Sequence, residues 1–314
     1  MSGWIFPLPI GVFPKCLAHW VHRIDPFILR FPFPCFLEGI RWYGLAYVFS
    51  FLAAHFFFLL CARRGRLSLS GRDGESLLVT LGLGILIGGR MGYVFLYDFA
   101  FWRQEPLWIF QFWSGGMSFH GAVIGAGLAL ALLARKRHLP LLPLADAVCA
   151  IAPLGIFFGR IANFINGELW GKITNLPWAI RFPQSVAPAT PIAAIPPRHP
   201  SQLYEAVLEG GLLLLILQRK FWKYPARSRG CLTADFLWLY ALLRIFAEIF
   251  REPDAPLWGP FSRGQVLSLG LGILGIGFRL WAGEAGRGPS PGSRDGSTGD
   301  AGGSSPGPVE GNSG

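Results

Sequence analysis

Residues 44–61 read GLAYVFSFLAAHFFFLLC, a run without a single Asp, Glu, Lys or Arg, and Arg63, Arg64 and Arg66 follow almost at once. Wound as a helix at about 1.5 Å per residue, such a run is about 27 Å long, close to the thickness of the hydrocarbon core of a bilayer. A half-buried strand would alternate and a soluble helix would carry a polar stripe; this run does neither. Blocks at 77–89, 121–134, 210–217 and 266–278 have the same character, several of them completed by their flanks. Of the 314 residues, 52% are hydrophobic and only 15% charged, which excludes an ordinary soluble domain. The expected fold class is an all-α polytopic membrane protein of about seven transmembrane helices, at 40–61, 76–97, 119–134, 141–158, 202–217, 232–250 and 264–281.

The net charge is +10, so the placement of the basic residues decides whether nucleic acid is a partner. They follow alternate apolar blocks: Arg63, Arg64, Arg66 and Arg72, then Arg135, Lys136 and Arg137, then Arg219, Lys220, Lys223, Arg227 and Arg229. Positive loops stay in the cytoplasm, which places the N-terminus and the intervening loops outside and the C-terminus inside. No nucleic-acid partner is expected.

Three regions follow: an extracytoplasmic segment 1–39, a membrane domain 40–281 with an outer loop at 160–200, and a tail 282–314. The loop mixes Gly, Asn and Trp with a Pro-rich stretch, which predicts a small ordered cap with a flexible middle. The tail is almost all Gly, Ser, Pro, Asp and Glu, too polar to fold, and is expected to be disordered and cytoplasmic. Five cysteines without a CxxC spacing suggest neither a disulfide framework nor a metal site, and no cofactor is implied. The first residues lack a basic start and a continuous apolar run, so no cleavable signal is expected, and Trp4, Trp20 and Trp42 suit the membrane interface.

Polar side chains are costly in hydrocarbon, so those inside the spans are candidates for function. Counting from the outer ends, Tyr43, Arg90, His120, Arg160, Asn163, Tyr240 and Arg244 fall in one layer near the outer surface. Asp146, Glu205, Glu209 and Asp235 are expected to stand apart from it, as helix-packing or cytoplasmic-end groups. Arginine's fork of donors suits a phosphate, and a phosphate at this depth is a lipid headgroup. His120, Asn163, Glu168, Tyr43 and Tyr240 add a proton acceptor and hydrogen-bond donors. Bland roles compete: Arg90 and Arg244 pairing with Asp98, Glu248 or Glu205, His120 capping its helix, the tyrosines belonging to an interfacial belt. GGRMGYVF at 88–95 and FGRIANFI at 158–165 share a short Gly-Arg pattern, a weak hint of an internal repeat.

Six segments carry a family resemblance: IRWYGLAY at 40–47, GGRMGYVFLY at 88–97, GGMSFHGAVIG at 115–125, GRIANFINGELWG at 159–171, RHPSQLYEAVLEG at 198–210 and LLRIFAEIFREPD at 242–254. In this order they resemble the prolipoprotein diacylglyceryl transferases of the bacterial inner membrane. The resemblance implies seven spans and transfer of the sn-1,2-diacylglyceryl group of phosphatidylglycerol to the lipobox cysteine of a prolipoprotein signal peptide. A thioether forms and glycerol phosphate leaves, the first step of lipoprotein maturation. It further implies that Arg160, with Arg244, binds phosphatidylglycerol and that His120, Tyr43, Asn163, Glu168, Gly171, Tyr240 and Arg244 serve activity. Ala122 and Ala162 stand where the family pattern has glycine, and Arg263 where methionine is usual. The proton acceptor stays open among His120, Tyr43, Glu168 and water. A transporter would instead place its ionisable groups near mid-membrane, and a lipid-binding scaffold would need the arginines but not His120.

Overall fold

The computed structural model describes residues 19–31, 39–67, 69–111, 116–223, 230–253 and 259–285. Cys16, Cys35, Trp4 and the expected tail beyond Ala285 lie outside the described residues. Helix follows hydropathy: α1 is Trp42–Arg63, α2 Gly71–Leu96, α3 the short Phe99–Gln104, α4 Phe119–Arg137 and α5 Leu141–Asn166. A further continuous helix consists of α6 (Ser201–Glu205), a π-helical segment Ala206–Leu212 and α7 (Leu213–Lys223). The remaining two are α8 (Cys231–Glu248) and α9 (Arg263–Ala285).

The outer surface of these helices is what makes the chain a membrane protein. Phe56, Val79, Leu132, Leu215 and Ile273 are each more than 60% exposed, a distribution that water would not tolerate and lipid requires. Among the described residues, five helices are long and apolar enough to cross a membrane alone: Trp42–Arg63, Arg72–Tyr97, Phe119–Arg137, Leu141–Asn166 and Arg263–Ala282. The other two long helices, 201–223 and α8, hold the ionisable residues that lower their hydropathy, and both pack against α5. All seven expected spans are therefore helical. Their boundaries differ: α5 continues to Asn166, so Arg160 and Asn163 are helical rather than part of the outer loop, and α9 continues through residues expected to begin the tail.

Close packing in the bundle rests on missing side chains. α2 meets α4 along Gly84, Gly88 and Gly92 against Gly121 and Gly125; a Cβ on Gly92 would lie 2.6 Å from the Gly121 Cα. Helices joined by such a seam approach backbone to backbone. Ser118 caps α4 by accepting from the Gly121 amide at 3.3 Å, so capping is not the role of His120. At the opposite end, Asp146 accepts from the amides of Gly230 (3.0 Å) and Thr233 (2.8 Å) and fixes the start of α8. Asp235 pairs there with Lys220 at 2.8 Å and Arg279 at 3.4 Å. These two aspartates are the helix-packing and end groups expected of them.

The cap is a sheet of β1 (Trp20–Val21), β4 (Ile180–Arg181) and β5 (Pro197–Arg198) in the order β1-β4-β5, beside a hairpin of β2 (Phe27–Arg30) and β3 (Gly39–Arg41). His22 seats it on the end of α5, its ring between Phe164 and Phe182 with Trp20 at its edge. Burial pushes that imidazole below the ordinary histidine range. The Pro-rich stretch expected as a flexible middle holds two short 3-10 turns, Pro183–Ser185 and Ile192–Ala194. The Arg181 guanidinium donates to the carbonyls of Ile192, Ala193 and Ile195 and ties the second turn to β4.

Candidate functional site

Three helix ends meet beneath the cap: the last turns of α5, the first turns of 201–223 and the last turns of α8. α5 contributes Arg160 and, three residues on, Asn163, which share a face at helical spacing. The helix stops at Gly167, whose φ of 66° lets the chain turn back. α8 contributes Tyr240, Arg244 and Glu248 on one stripe, with Arg251 just beyond.

At the centre, Glu205 and Glu209 bind the arginines. Glu205 lies 2.9 Å from Arg160 Nε, 2.9 Å from Arg244 Nη1 and 3.2 Å from Arg251 Nη1. Glu209 lies 3.3 Å from Arg160 Nη2 through one oxygen and 3.2 Å from Arg244 Nη1 through the other. Arg244 Nη2 also pairs with Glu248, which accepts from Ser262 Oγ at 3.0 Å. The expectation that Glu205 and Glu209 stand apart from the polar layer is thus overturned. Helix 201–223 starts at the end where α5 and α8 finish, so its first two turns lie among their arginines.

The two family-implied arginines differ in what they have left to offer. Arg244 is shared among three carboxylates. Arg160 keeps 16% of its side chain exposed, and its Nη1 has no protein partner among the described residues. Burying such charges is tolerable only because each is paired.

A second polar group adjoins the first. Asn163 Nδ2 donates to Glu168 Oε1 at 2.7 Å and lies 3.4 Å from the Tyr43 hydroxyl. His120 Nε2 is buried without a hydrogen-bond partner among the described residues, its ring edge-on to Phe119, which stacks on Tyr240 at 4.6 Å. Arg244 is near enough for its charge to act on that imidazole. Gly171 contributes space: its Cβ would sit 2.5 Å from the Phe250 carbonyl and 2.6 Å from the His199 Cβ. Its amide donates to the His199 carbonyl and the Lys172 amide to the Phe250 carbonyl, both at 2.9 Å, clamping the loop after α5 between the start of helix 201–223 and the end of α8.

Arg90 is the residue of the expected layer that the structure removes from it. It is buried, donates to the carbonyls of Trp108 (2.6 Å), Ile109 (3.1 Å) and Gly116 (3.3 Å), and stacks on the Trp108 ring. The two Gly-Arg patterns therefore carry different roles, and the hint of a repeat has no counterpart in them.

A family profile described as prolipoprotein diacylglyceryl transferase matches residues 33–281. The chain belongs to the prolipoprotein diacylglyceryl transferase family. It is similar to the phosphatidylglycerol--prolipoprotein diacylglyceryl transferase of Geobacter sulfurreducens, at 42% identity over 257 residues, covering 81% of this chain and 94% of the relative. A protein of the same name from Methylocella silvestris is 43% identical over 268 residues, covering 82% and 94%. As a member of the diacylglyceryl transferase family, the chain is a transferase. Within this family member, sequence reasoning brought Arg160, Arg244, Asn163, Tyr43, Glu168, Tyr240 and His120 to one end of the bundle, where they lie. It offered Glu205 and Glu248 as pairing partners for Arg244, which they are, and missed Glu209 and Arg251. The available signal was the spacing of Glu205 and Glu209, one helical turn apart just after the start of a span.

Proposed function

We propose that this chain transfers the sn-1,2-diacylglyceryl group of phosphatidylglycerol to the lipobox cysteine thiol of a prolipoprotein signal peptide. The reaction runs at the outer face of a bacterial inner membrane, with the N-terminus outside and the C-terminus inside. The observation that carries this reading is Arg160, a guanidinium with an open edge among buried ion pairs, in a chain of this family. The ends of the helices support the orientation, because the basic runs at the ends of α1, α4 and α7 lie opposite the site.

The phosphate of the lipid binds Arg160 Nη1, since a guanidinium edge matches two phosphate oxygens. The cysteine thiol loses its proton to His120 Nε2, and the thiolate attacks the glycerol carbon next to the phosphate. A carbon–sulfur bond forms and the carbon–oxygen bond to phosphate breaks. The electron pair leaves with glycerol phosphate, whose growing charge faces Arg160 in a water-poor site. Asn163, held by Glu168, and the Tyr43 hydroxyl orient the reacting groups, and Arg244 positions the carboxylates around Arg160.

The test supplies purified protein with phosphatidylglycerol vesicles and a lipobox peptide and measures thioether peptide and glycerol phosphate together. Equal amounts of both are expected. Production of neither by well-folded protein overturns the reading, and glycerol phosphate without thioether reduces it to a lipid hydrolase.

A further inference from the structure

Arg160, Arg244 and Arg251 face Glu205, Glu209 and Glu248, so the resting formal charge of these six side chains is zero. A site built only to hold a phosphate has no need of two buried carboxylates on the arginines that hold it. The cost of such a site appears at the end of the reaction. A phosphate monoester carries more charge than the diester it came from, and two bare arginines would retain it.

The two carboxylates are not held alike. Glu205 touches three arginines, two of them at 2.9 Å. Glu209 touches two, at 3.3 and 3.2 Å, each through a different oxygen, beyond the usual 2.7–2.9 Å range of charge-assisted bonds. It stands in the π-helical segment Ala206–Leu212, and such insertions are frequent at functional sites. The backbone there cannot shift easily, because a Cβ on Gly210 would meet the Phe157 Cβ at 2.6 Å. Movement at this position belongs to the Glu209 side chain.

We propose that Glu209 is a resident counter-anion of the site. It holds Arg160 and Arg244 while the site is empty, yields Arg160 to the phosphate of the lipid, and reclaims it as the phosphate product departs. Glu209 is thus a positioning residue that sets how long product stays. The inference rests on the diacylglyceryl-transfer reading above.

The experiment measures equilibrium binding of sn-glycerol 1-phosphate to full-length protein in detergent free of phosphatidylglycerol, beside the transfer assay. Glu209→Gln should bind glycerol phosphate about tenfold more tightly than the parent. Its first turnover should survive while later ones slow, and KM for the lipid should fall. Glu209→Asp keeps the charge on a shorter arm and should bind about threefold more tightly, which keeps the test open if the glutamine variant fails to fold. A merely structural glutamate predicts the opposite sign, and unchanged or weaker binding in whichever variant folds overturns the proposal. Tighter binding with no thioether from the parent protein overturns the transfer reading alone.

Discussion

Arg90 and Arg160 stand in similar short Gly-Arg contexts toward the same end of the bundle, on α2 and α5, and the molecule uses them in opposite ways. Among the described residues, Arg90 binds the main-chain carbonyls of Trp108, Ile109 and Gly116 and the indole face of Trp108, none of which can leave. The partners of Arg160 are the side-chain carboxylates of Glu205 and Glu209, and part of its guanidinium is open. An arginine among fixed carbonyls braces the fold, whereas one among carboxylates that can rotate away offers an anion site. Depth does not separate the two; the open part of the Arg160 guanidinium and the mobility of its partners do.

The sharpest break in that comparison is Arg160→Ala. Losing a preorganised cationic donor to the departing phosphate should lower transfer by about 10³-fold. The thermal midpoint should move little, because Glu205 retains Arg244 and Arg251. Arg160→Lys should recover only a small part, since a point charge does not replace the fork. Full activity in the lysine variant would show that charge alone suffices.

Next in size is His120→Ala, expected to lower turnover about 10²-fold with phosphatidylglycerol binding intact. The substrate thiol ionises at about pH 8.5, so raising the pH should restore part of the loss by supplying thiolate directly. A defect that ignores pH, with lipid binding preserved, moves the proton to Glu168 or Tyr43.

Arg90→Ala should reverse the pattern. Each buried carbonyl left without its donor costs about 1–3 kcal/mol, so the variant should unfold at lower temperature and accumulate poorly. Its turnover per folded molecule should stay within about threefold of the parent. A selective catalytic loss at normal stability would return Arg90 to the site and undo the contrast.

How much of this was legible follows from range. The spans were readable because hydropathy is local, and Arg160 and Asn163 because their motif lies at a span end. The bounds drawn for that span stopped at residue 158, yet a polar residue continues a helix when neighbours satisfy it, and α5 ends only at Gly167. Glu205 and Glu209 were placed with the packing residues because their partners lie on two other helices, and pairing across helices leaves no periodic trace. Gly171 has the same character. Its lack of a side chain matters because Phe250 and His199, distant in sequence, close on it.

Arg181 gives the smallest and finest test, because it combines features of both arginines compared above. Like Arg90 it donates to main-chain carbonyls, those of Ile192, Ala193 and Ile195, but it does so in the cap outside the bundle. If fixed carbonyl partners mark a brace, Arg181→Ala should loosen the loop it ties and leave the chemistry alone. Amide exchange across 190–198 should quicken, and limited proteolysis should find new sites there. Transfer should fall by less than about fivefold, because β5 is still paired with β4 and the Gly171 amide with the His199 carbonyl. If the cap guides the peptide, the loss should appear in KM for the peptide and not in KM for the lipid. A fall as deep as that of Arg160→Ala with unchanged exchange would mean that Arg181 touches substrate, and the mobility of the partner would then no longer tell a brace from a site.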